Sequence, residues 1–248
     1  MPMCTTGAGP AAALLGSSGP TVILDANYAT DTIINLADVP ISNGEFVKSW
    51  TPATGPAFTS ALAIAAGATD SPAWVSASGV ETLGASAAVT SASPVTIPAN
   101  TDCVIYVEAN LGALESGLYA IGSTADNAAI VCSTGDGGSD HSVILSFADG
   151  TSNVTAVMAG RTATGVHLLR FIRASGVWSF ACTGVASAAM SPTGTVSGVL
   201  AFDTLLAFGG SGTLASFSLT DMCLQKLKIW KGTSSPDTDY ETANGGVL

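Results

Sequence analysis

Apolar residues in this chain recur at alternate positions over short runs, and Gly, Ser, Asp and Pro cut the runs about every 8–12 residues. The clearest run is TDCVIYVEANL (101–111), where Cys103, Ile105 and Val107 face one way and Val104, Tyr106 and Glu108 the other. Strands are likewise predicted in TVILDANY (21–28), GEFVKSW (44–50), PAWVSAS (72–78), ETLGASAAVT (81–90), GLYAIGS (117–123) and AAIVCST (128–134). They continue in HSVILSFADG (141–150), NVTAVMAG (153–160), GVHLLRFIRA (165–174), GVWSFACTG (176–184), TLLAFGG (204–210) and CLQKLKIWKG (223–232). Strict alternation fails in the middle runs, so these strands should be covered on both faces. A helical turn is expected only within FTSALAIAAGATD, Phe58 to Asp70, which lies between Pro56 and Pro72. The pattern predicts an all-β, antiparallel sandwich or jelly roll.

The stretch GVHLLRFIRASGVWSFACTG reads as a hairpin turning at Ser175-Gly176. Alternation puts His167, Leu169, Phe171 and Arg173 on one face and Val166, Leu168, Arg170 and Ile172 on the other, with Trp178, Phe180 and Cys182 together on the return strand. Two readings are open. The hairpin crosses the centre of a stacked sheet with its arginine stems laid along apolar surface, or a ligand platform is built on Arg170, Arg173 or Trp178.

Length changes the picture little: 248 residues suffice for one large β domain that needs neither metal nor disulfide. No long linker interrupts residues 21–232. The expected organisation is an extended N-terminal arm (1–20), one sandwich domain (21–235) and a short acidic C-terminal tail (236–248), exposed or ordered by a partner. Only 10% of residues are charged, against about 25% in ordinary soluble proteins. The net charge is −11, and Lys48 is the only basic residue before Arg161, which argues against binding nucleic acid or an anionic membrane. Lys226, Lys228 and Lys231 alternate with Leu227 and Ile229, as on a solvated strand face. The opening MPMCTTGAGPAAALLG has no basic n-region and reads as an arm, not a signal peptide. No run approaches the ~18 apolar residues of a membrane span.

The five cysteines are widely spaced, without CxxC, and neither histidine stands at ligand spacing from one. They read as small apolar residues rather than as disulfides or zinc ligands. In STGDGGSDHS (133–142), Ser139, Asp140 and His141 are adjacent and cannot form a nucleophilic triad, since consecutive strand residues point apart. Asp136 and Asp140, with Asp126 and Asn127 upstream, either close a hairpin turn or offer oxygen ligands to calcium, the one cofactor the sequence leaves open.

Four ordered patterns carry a family resemblance. VILDANYATDT followed by GEFVKSWTPATG pairs an apolar strand ending in Asp-Ala with a strand ending in Trp before a Gly-bearing loop. SPAWVSASGVETLGASAAVTSASPVTIPANTDCVIYVEANL sets a short strand before a long one, TGVHLLRFIRASGVWSFACTG is a His-led hairpin, and LLAFGGSGTLASFSLTDMCLQKLKIWKG closes on a Gly-Gly and a strand ending in an aromatic. Over residues 21–232 this order resembles the concanavalin A-like lectin/glucanase superfamily, specifically the laminin-G-like jelly rolls found in phage virion proteins. The chain departs from it at Ala181-Cys182-Thr183-Gly184, where the family usually has Tyr-x-Asn-Gly. Hydrolases on this fold carry E-x-D-x-x-E on one strand; Glu81, Glu108, Glu115 and Glu241 are too scattered to match.

The resemblance implies a non-enzymatic virion structural protein, a capsid decoration, head fibre or tail fibre component. Such a chain would be assembled in the bacterial host cytoplasm and displayed on the virion surface. It would dock on other virion proteins and on copies of itself, and meet host-surface glycan, with no nucleic acid and no membrane insertion. The alternative is a carbohydrate-binding module of a bacterial surface or secreted protein.

Overall fold

A computed structural model describes residues 22–25, 32–60, 73–75, 79–81, 89–111, 118–122, 129–133, 141–146, 153–159, 165–183, 187–192, 198–205 and 223–245. Among these the chain is predominantly β. In chain order the strands are β1 (Val22–Asp25), β2 (Thr32–Asn35), β3 (Val47–Thr51), β4 (Phe58–Ser60), β5 (Ala73–Val75) and β6 (Gly79–Glu81). There follow β7 (Val89–Ile97), β8 (Cys103–Leu111), β9 (Leu118–Gly122), β10 (Ala129–Ser133), β11 (His141–Ser146) and β12 (Asn153–Ala159). The last are β13 (Gly165–Ala174), β14 (Val177–Cys182), β15 (Ser187–Pro192), β16 (Leu200–Leu205) and β17 (Cys223–Lys231), before a helix, α1 (Thr238–Ala243).

Among the described residues these strands form two antiparallel sheets. A seven-stranded sheet runs β14-β13-β8-β17-β6-β5, with β1 also paired to β17. A ten-stranded sheet runs β15-β12-β11-β10-β9-β16-β7-β4-β3-β2. Three of the longest strands, β8, β13 and β17, sit side by side at the centre of the first sheet. β13 and β14 are joined by Ser175 (φ 51°) and Gly176 (φ 80°), the two positive-φ residues of a tight hairpin whose twist matches its strands. The Asp102 carboxylate accepts the Ser175 amide at 2.7 Å and holds this turn against the start of β8.

One face of the seven-stranded sheet buries Cys103, Ile105 and Val107 beside Leu169 and Phe171, with Leu227 and Ile229 on one flank and Trp178, Phe180 and Cys182 on the other. The ten-stranded sheet contributes buried Ile33, Val47, Trp50, Val95, Ile97 and Leu200. Two basic residues bridge the sheets. Arg173 of β13 donates from Nε, Nη1 and Nη2 to the carbonyls of Thr101, Gly198 and Pro98 at 2.6, 2.6 and 2.7 Å. Lys231 of β17 reaches the carbonyl of Thr96 in β7 at 3.2 Å. The layers therefore lie against each other at this end, where β7 leads into β8 and the chain approaches β16.

Several expectations change. Phe58–Ser60, expected at the start of a helical turn, is a strand paired with β3 and β7, and 61–70 lie outside the described residues. β2 and β15 were not predicted: TIIN is too short for its alternation to register, and SAAMSP has one large apolar side chain, Met190, and so no alternation. Only the ends of the predicted strand 81–90 are described, and they belong to two different sheets. Within the tail, residues 237–245 include a helix docked on the sheet, and 246–248 lie outside the described residues. Asp237 caps α1 by accepting the Tyr240 amide at 3.0 Å, and Glu241 is buried. The arm, 1–20, lies outside the described residues.

Candidate functional site

The outer face of the seven-stranded sheet follows from register. β8 is flanked by β13 and β17, so the side chains beside Val104, Tyr106 and Glu108 are set by pairing. Across the three strands this gives the rows Ile172–Val104–Trp230, Arg170–Tyr106–Lys228 and Leu168–Glu108–Lys226. An outward sheet face is ordinarily solvated. Here Val104, Tyr106, Glu108 and Leu168 are buried, because α1 folds back over them.

The apolar part of this contact centres on Tyr106, whose ring meets Trp230 and Tyr240 edge-on at centroid distances of 5.6 and 5.2 Å. The polar part has two knots. In the first, Nη1 of Arg170 lies 2.8 and 2.9 Å from the two carboxylate oxygens of Glu241, and the Tyr106 hydroxyl donates to Glu241 Oε1 at 2.5 Å. That hydroxyl also accepts the Asp237 amide at 2.9 Å, tying the helix start to the sheet. In the second, Glu108 Oε2 accepts from Tyr240 Oη at 3.0 Å and from Lys226 Nζ at 3.3 Å. Lys228 Nζ sits 3.6 Å from the Tyr240 ring centroid, a cation–π contact. Burial first, then its bond to Glu241, pushes the Tyr106 phenol well above its usual range, so it stays a neutral donor.

The residues predicted as a ligand platform do not converge. Arg170 lies on this covered outer face. Arg173 and Trp178 lie on the inner face, 0% and 3% exposed, with the guanidinium 5.4 Å from the indole centroid. Three backbone carbonyls occupy the Arg173 guanidinium, so Arg173 is a buried clamp. Asp126, Asp136 and Asp140, the predicted calcium ligands, lie outside the described residues. Among the described residues no cluster of three His, Cys, Asp or Glu could hold a metal ion. No helix among them is long and apolar enough to cross a membrane.

Lys226 and Lys228, expected on a solvated strand face, are half-buried under α1. Tyr106, Glu108, Tyr240 and Glu241 were missed as members of a common site. The alternation of TDCVIYVEANL shows the first two, and Asp237 ahead of TDYETA is a helix-start signal for the last two. Apart from this face, an open groove of about 380 Å³ lies beside β2, lined by Asn35, Leu36, Ala37, Gly44, Glu45 and Phe46. There the Ser42 amide, and then the Asn35 side chain, hold the Glu45 carboxyl below its usual value.

No protein-family model matches the sequence, and no curated protein matches it. Among solved structures the chain is similar to the CBM2 module of the evolved Dit of Lactobacillus casei BL23 phage J-1. The identity is 12% and the TM-score 0.35, over 88% of this chain and 98% of that one.

Proposed function

We propose that the chain is a non-catalytic phage virion component built on a laminin-G-like jelly-roll sandwich. It docks on virion neighbours and on copies of itself, and it adheres to glycan at the host surface. One observation carries the binding part. Beneath α1, the outer face of the seven-stranded sheet sets aromatic rings (Tyr106, Trp230) among cations (Arg170, Lys226, Lys228) on adjacent antiparallel strands. With α1 displaced, a ring face there offers apolar surface to a sugar, and charged neighbours fix its orientation. The carboxylates of the same face are spent on structural partners: Glu108 on Lys226 and Tyr240, Glu241 on Arg170 and Tyr106. An acid–base pair for glycoside hydrolysis needs carboxylates facing a substrate-sized gap instead. The virion part rests on the ordered strand and turn patterns of the sequence.

The test has two arms. Capsid, portal or tail reading frames beside the gene are expected, and a secretion operon in that place would overturn the virion assignment. On a glycan array at low salt, binding confined to one sugar class is expected, and a blank array would remove adhesion. Turnover of any polysaccharide in a panel would overturn the non-catalytic assignment.

A further inference from the structure

Glu241 fills only part of what Arg170 offers. One nitrogen, Nη1, contacts both of its oxygens, while Nε of Arg170 is buried with no hydrogen-bond partner. A guanidinium binds a carboxylate best along one edge, through two parallel N–H···O bonds, and a buried donor left unpaired is costly. The helix carboxylate therefore sits on Arg170 in a poorer arrangement than an unconstrained one could adopt.

The occupant is held by its contacts with the sheet and by nothing of its own. α1 has six residues, Thr238–Ala243, fewer than an isolated helix needs to persist, so it exists because it is docked. Its last turn has no basic residue to complement the helix dipole. A short connection through Gly232 (φ 81°) joins it to β17. With α1 lifted, Arg170, Lys226 and Lys228 would surround the edge-on aromatic pair Tyr106 and Trp230. That chemistry suits a sugar ring bearing a carboxylate: the ring stacks on one aromatic face and the acid takes the free edge of Arg170.

We propose that this face is a binding site for acidic sugars, uronate or sialate residues, and that α1 occupies it in cis with Glu241 standing in for the ligand carboxylate. The inference rests on the adhesion reading above and names its ligand class and its site. A tethered occupant competes at an effective concentration in roughly the millimolar range. A single sugar acid displaces it poorly, while a polymer presenting many carboxylates to many copies of the chain displaces it well. Diffuse attraction cannot mimic this, since a chain of net charge −11 repels polyanions.

The experiment compares the full-length wild type, E241Q and R170Q for binding to immobilised polygalacturonate, polysialic acid and neutral dextran. Amide exchange of residues 238–244 is followed with and without each polymer. E241Q should bind at least one acidic polymer about tenfold more tightly than wild type, because the tethered competitor is weakened. R170Q should lose the preference for acid over dextran, and the acidic polymer should speed exchange in wild-type α1. Preference for one acidic polymer identifies the sugar as uronate or sialate. Binding by E241Q no tighter than by wild type, with α1 exchange indifferent to polymer, overturns the proposal. Equal binding of neutral sugar by all three overturns it and leaves adhesion standing, whereas no glycan binding by any form overturns both. Should E241Q fail to fold, the wild-type exchange measurement decides.

Discussion

The Arg173 guanidinium donates to the carbonyls of Pro98, Thr101 and Gly198 and stands over Trp178, with no surface left for solvent. Its removal would take the donor from three carbonyls at once and leave a cavity beside Trp178, and Met in its place could satisfy none of them. R173M should cost about 3–5 kcal/mol in urea unfolding; R173K, which keeps the charge but not the fork, should fall between it and wild type. A midpoint unchanged in R173M would show that those carbonyls find other donors. Beside it, burial pushes the Cys103 thiol up from the usual 9.0 to about 11, against the attraction of Arg173 for a thiolate. The folded state therefore holds this proton when the unfolded chain has released it. The contribution to stability is complete below pH 9.0 and is lost as the pH rises to about 11. The gap corresponds to about 3 kcal/mol, so C103A should flatten the alkaline decline of stability across that window. At this scale the sequence was half legible. Alternation alone separates Arg170 from Arg173 by a sheet, but what each guanidinium meets depends on chain about 70 residues away, at Glu241 and at Pro98 to Thr101.

The C-terminal helix gains its order from a sheet face and in return covers it. The Arg170–Glu241 pair is largely buried, with side chains 19% and 12% exposed, so loss of either partner leaves an uncompensated charge. E241A should cost about 3 kcal/mol, whereas R170M/E241M, which replaces the pair with apolar bulk, should recover most of the loss. A double-mutant cycle by chemical denaturation measures this, and a double variant as unstable as the sum of the singles would contradict it. Exchange of the Tyr240–Asn244 amides should outpace that of β8, because α1 opens locally before the sheets do. The long central strands were legible because their residues alternate over nine or ten positions and carry β-branched or aromatic side chains. The hairpin at Ser175-Gly176 was legible from turn chemistry alone. α1 was not: its sequence is acidic and polar, and its apolar partner is a face made by three other strands. β4 was misread because three residues of FTS carry no period, and its pairing with β3 and β7 decides its state.

Neighbours in the seven-stranded sheet are distant in the chain. β8 (103–111) lies between β13 (165–174) and β17 (223–231), and β17 also pairs with β1 (22–25) and β6 (79–81). The ten-stranded sheet closes in the same way: β16 (200–205) joins β7 (89–97) to β9 (118–122). Each sheet therefore needs strands from both halves of the sequence, and the loop-closure entropy of those pairings is spent before they return any stability. Two consequences separate a single cooperative domain from two domains in tandem. Folding should be slow, on the order of milliseconds to seconds. Fragments 21–150 and 151–248, expressed apart, should lack dispersed amide resonances, because the first would expose β8 with neither flanking strand and the second would leave β13 and β17 without the strand that joins them. Mixed under refolding conditions, the two pieces should recover the spectrum of the intact chain. If either piece alone gave a cooperative thermal transition, the sheets would have to be independent of the pairings that cross residue 150, and the sheet face on which Arg170, Tyr106 and Lys228 are aligned would lose its physical basis.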